Sequence, residues 1–76
     1  MVKKERIDEW TTRRTFNIGG KEYREYEYKH DDGSVSYEIY TDAGKKVGWS
    51  IQDKFRESAQ EARERAWDRA MGRRKD

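Results

Sequence analysis

Two runs in which aromatic and charged residues alternate, EYREYEY at 22–28 and SVSYEIY at 34–40, are separated by the turn segment HDDG at 30–33. An Asp-Gly pair between two period-two runs directs the chain into a β-hairpin, because a tight two-residue turn needs left-handed backbone that Asp tolerates and Gly adopts freely. A turn centred on Asp32 and Gly33 pairs Tyr28 with Tyr37, Tyr26 with Ile39 and Glu25 with Tyr40. Because side chains alternate across a strand, Tyr26, Tyr28, Val35, Tyr37 and Ile39 are then expected on a core face. Tyr23, Glu25, Glu27, Glu38 and Tyr40 fall on the opposite one.

The flanking segments extend this hairpin. DAGK at 42–45 suits a three-residue turn with Gly44 left-handed, which sets Val47 opposite Ile39 and Trp49 opposite Tyr37. Upstream, FNIGGKEY is expected to turn through three residues, since that register carries Phe16 and Ile18 to the core face. The expected meander has four antiparallel strands within 13–49. Ser50 with Asp53 supplies a cap for a helix over 50–72, with Gly72 past its end. Along it Ile51, Phe55, Ala59, Ala62, Ala66 and Ala70 form one narrow apolar stripe. Residues 1–12 form a segment in which Ile7 and Trp10 share one side of a short helical turn, and 73–76 a basic tail. The fold class expected is α+β, one domain, with a single C-terminal helix packed on one face of the sheet.

Seventy-six residues without a leucine leave the core to aromatic rings: three Trp, five Tyr and two Phe. Each buries roughly 150–250 Å², enough to hold a domain of this size. Cysteine is absent, so neither a disulfide framework nor a thiolate metal site is available, and a reducing, cytoplasmic setting is expected. No apolar run suits a signal peptide or a membrane span. His30, Asp31 and Asp32 are the nearest approach to a metal or acid-base cluster, but one imidazole beside two turn carboxylates is a poor site. Gly19-Gly20 lacks the context of a phosphate loop, and the serines have turn, strand, cap and helix explanations. No enzyme, metal or cofactor is expected.

Charge is distributed unevenly. Residues 1–14 hold five basic and three acidic side chains, residues 15–62 seven and ten, and residues 63–76 six and three. The acidic middle makes Tyr23, Glu25, Glu27, Glu38 and Tyr40 a candidate surface for a protein partner, notably a basic, nucleic-acid-binding one. Trp67 and Met71, one turn apart and off the alanine stripe, form a second candidate contact. The contrary reading of Trp67 is that it closes the core. Small charged proteins without catalytic residues are frequent among phage and mobile-element inhibitors, anti-CRISPR proteins included, and an inhibitory interaction protein is the expectation by that analogy of size and composition. The alternative is nucleic-acid binding through Arg63, Arg69, Arg73, Arg74 and Lys75 together with the basic N-terminus.

SVSYEIYTDAGKKVGW followed by ARERAWDRA resembles the second half of the plant ethylene-responsive DNA-binding domain, over less than half of the chain. The resemblance implies a three-stranded sheet backed by an alanine-rich helix, with arginines and tryptophans on the open face reading DNA. Here the expected register sets Glu25, Glu27 and Glu38 on that face, which would repel phosphate, so the likeness is one of topology and the family is not claimed.

Overall fold

The computed structural model describes residues 2–73. The chain is α+β: one antiparallel sheet of five strands followed by one helix. In chain order these are β1 (Lys3–Arg6), β2 (Thr11–Ile18), β3 (Lys21–Lys29), β4 (Val35–Thr41), β5 (Lys46–Ile51) and α1 (Ala59–Ala70). The strands follow one another across the sheet as a simple meander.

The fifth strand corrects the expected four. Lys3–Arg6 pairs with Thr12–Thr15, so the start of the 1–12 segment joins the sheet, and Ile7 and Trp10 stand exposed on the turn between β1 and β2.

Both expected hairpin registers around β3 are corrected too, and for one reason. Gly19 and Gly20 both take positive φ, 58° and 81°, so the two residues able to adopt left-handed backbone without steric cost form a two-residue turn, with Ile18 opposite Lys21. Gly33, at φ 86°, is the only left-handed residue of the next turn, and Asp32 is not left-handed. Its carboxylate instead accepts from the Ser34 backbone N–H at 2.9 Å and hydroxyl at 2.7 Å, and these bonds hold its pKa below the usual aspartate value. The turn therefore spans three residues, with His30 N–H donating to the Ser34 carbonyl and Gly33 N–H to that of His30.

A shift of one residue exchanges faces. Glu25 is now opposite Ile39 and Glu27 opposite Tyr37, while Tyr26 is opposite Glu38 and Tyr28 opposite Ser36. The turn at 42–44 forms as expected, with Gly44 left-handed and Tyr40 opposite Lys46. A bulge then shifts the pairing so that Gly48, not Val47, lies opposite Ile39, and Trp49 opposite Glu38 instead of Tyr37.

The helix begins later than expected. Ser50 and Ile51 belong to β5, and Ser58 is the N-cap: its hydroxyl accepts from Glu61 N–H at 3.2 Å while Glu61 accepts from Ser58 N–H at 2.9 Å. Ile51 and Phe55, expected on the buried stripe, are 70% and 90% exposed. Ala62 and Ala66 are fully buried and pack with Val35, Tyr37 and Ile39, and Ala59, Trp67 and Ala70 border that cluster. Close approach comes from small residues on β5. A Cβ at Gly48 would collide with the Ala66 carbonyl oxygen and sit 2.9 Å from the Ala70 Cβ, and Ser50 Oγ donates to the Ala62 carbonyl at 2.5 Å. Past the helix Gly72 is left-handed, at φ 72°.

Candidate interaction surface

The two faces of the sheet have different chemistry. On the face under α1, Glu25 has no exposed surface and accepts from three donors: Arg14 Nη1 at 3.1 Å, Arg63 Nε at 2.7 Å and Trp67 Nε1 at 2.5 Å. A buried carboxylate needs this degree of compensation. Trp67 also meets Phe16 and Tyr23 edge to face, with centroids 5.1 and 5.9 Å apart. Beside this cluster Tyr37 donates to Glu27 at 2.7 Å, and burial together with that bond pushes the Tyr37 phenol well above its usual pKa. These contacts fasten the helix to β2 and β3, beyond the reach of its alanines.

No element among the described residues lies over the other face. Three rows of paired side chains cross it. One runs Glu5, Arg13, Tyr26, Glu38, Trp49; the next runs Lys3, Thr15, Arg24, Tyr40, Lys46; the third runs Thr11, Tyr28, Ser36, Ile51. Glu38 is the hub. It accepts from Tyr28 at 2.9 Å and Tyr40 at 3.2 Å, with Lys46 Nζ at 3.4 Å. Burial raises the Tyr28 phenol pKa and the bond to Glu38 adds to it; Tyr40 is raised by burial and by the Glu38 charge. Tyr26 stacks on Tyr28 at 6.3 Å and meets Tyr40 edge to face at 5.6 Å. Arg13 Nη2 donates to the Glu5 carboxylate at 3.1 Å, and the neighbouring Tyr26 phenol and Glu5 raise the Arg13 pKa. Trp49 and Ile51 are 48% and 70% exposed.

Both edges of the sheet carry features that disfavour further strand pairing. Arg65 Nη2 donates to the Ile51 carbonyl at 2.8 Å and Arg69 Nη1 to that of Trp49 at 3.4 Å, so two helix arginines one turn apart engage two of the outward carbonyls of β5. Arg65 is itself held by Glu57, whose pKa that contact lowers. At the opposite edge β1 is only four residues, KKER. Short, lysine-bearing or arginine-capped edges are how proteins resist edge-to-edge association.

These positions reassign the residues singled out from sequence. Tyr23, Glu25, Glu27, Glu38 and Tyr40 do not share a face: the first three lie on the helix side of the sheet and only Glu38 and Tyr40 are on the open side. Trp67 is partly buried, packed against the core and donating to Glu25, and Met71 is the helix C-cap, its N–H donating to the Trp67 carbonyl at 2.9 Å. Of the basic set, Arg63 is engaged by Glu25, Arg69 lies 4.9 Å from the Trp49 ring, and Arg73 pairs with Asp68 at 3.4 Å; Arg74 and Lys75 lie outside the described residues. Sequence reasoning missed Arg13, Arg24, Tyr26, Tyr28 and Trp49 as a surface. The two left-handed glycines at 19–20 were the available signal.

Among the described residues no group of three or more His, Asp or Glu side chains could hold a metal ion, and no helix is long and apolar enough to cross a membrane. No family model, curated protein or solved structure matches the chain.

Proposed function

We propose that the chain is a non-enzymatic protein-binding module whose recognition surface is the open sheet face, centred on Tyr26, Tyr28 and Tyr40 with Trp49 at its edge. The observation that carries this reading is the Glu38 hub. Two tyrosine hydroxyls and one lysine converge on a single carboxylate. Rings held in this way lose little rotamer freedom on binding, and Tyr, Trp and Arg are the residue types that dominate interface energetics. Charge favours a protein over phosphate. Arg13 pairs with Glu5, Arg24 with Glu22 and Lys46 with Glu38, so the cations of this face arrive already matched to carboxylates. With Glu25 and Glu27 on the helix side of the sheet, the surface is aromatic and of mixed charge rather than acidic, and so is the partner it fits.

A second reading, nucleic-acid binding through the same face, has one observation in its favour: Arg13, Arg24 and Trp49 stand on it, the residue types presented by the domain resembled in sequence. One experiment addresses both. Tagged protein is used to capture partners from lysate of the source cell, with and without nuclease, beside a Tyr26→Ser, Tyr40→Ser, Trp49→Ala variant whose circular dichroism matches the parent. Nuclease-resistant capture that the variant loses is the expected result. Capture that the variant retains removes this face, and capture that nuclease abolishes selects the second reading.

A further inference from the structure

We draw no further inference here: the strongest candidate, the exposed patch of Ile51 and Phe55 where β5 leads toward α1, is an apolar surface with nothing in the structure to show what covers it.

Discussion

Glu25 and Glu38 sit on neighbouring strands and opposite faces, and the sheet treats them differently. Glu25 has no solvent contact and is enclosed by two guanidinium groups and an indole; the Glu38 side chain keeps 28% of its surface exposed and gathers two phenols and an ammonium group. A carboxylate removed from water must have all its hydrogen-bonding capacity met by protein, so every partner of Glu25 is a structural obligation. Glu38 keeps access to water, so losing one of its partners strands no buried charge. The covered face spends its polar groups on stability and the open face on organisation.

The largest effect should come from Glu25→Ala, which strands Arg14, Arg63 and the Trp67 indole N–H together. Breaking a buried charged cluster on one side costs ~3–5 kcal/mol, a large part of the stability of so small a domain. Urea denaturation measures it, and a loss no greater than that of a Glu38 substitution would break the contrast between the faces. Next is Gly48→Ala. The added methyl meets helix backbone rather than a movable side chain, and overpacking of this kind costs ~1–3 kcal/mol. A melting temperature equal to that of the parent would show that α1 is not held as closely on β5 as described.

Trp67→Phe keeps a ring against Phe16 and Tyr23 and deletes only the N–H donated to Glu25. Leaving that carboxylate short of one donor should cost ~1–3 kcal/mol in a thermal melt. An unchanged melt combined with weakened partner capture would restore Trp67 to the interface and take it out of the buried cluster.

Alkaline titration resolves the faces more finely. Tyr37 and Tyr28 have folded pKa values raised by burial, so their contribution to stability is fully present below the unfolded tyrosine value of about 10 and falls as pH rises above it. The urea midpoint should therefore drop between about pH 9 and about pH 11, with phenolate absorbance lagging behind that of free tyrosine. A constant midpoint over that interval contradicts the burial of these two phenols against carboxylates. The smallest effect belongs to Glu38→Gln. It keeps the shape of the hub, remains in water, and should change stability by less than about 1 kcal/mol, with partner capture as the property that responds.

Much of this architecture was legible in the residues. Alternation identified strands at 22–28 and 34–40, glycines marked the turns, Ala59, Ala62, Ala66 and Ala70 traced the helix face, and Gly72 marked its end. Each is a local signal, decided by backbone sterics and side-chain period within a few residues. The helix start was also legible, in the capping box Ser58-Ala59-Gln60-Glu61, but Ser50 with Asp53 offered a competing cap and lost because Ser50 was needed in β5 against Ala62.

Which face became the core was a tertiary decision. Tyrosine and glutamate alternate on β3, so either phase presents rings on one side and carboxylates on the other, and hydrophobicity alone favours burying Tyr26 and Tyr28. The folded chain turns Glu25 and Glu27 to the helix side instead, Glu25 fully buried and Glu27 partly so. Arg14 on β2 and Arg63 and Trp67 on α1, distant in sequence, converge to neutralise Glu25, and a three-residue turn with one left-handed glycine supplies the register that permits it. Period-two patterning determines that a strand has two faces, whereas the compensation of a buried charge depends on donors brought from other elements, and only the assembled fold contains them.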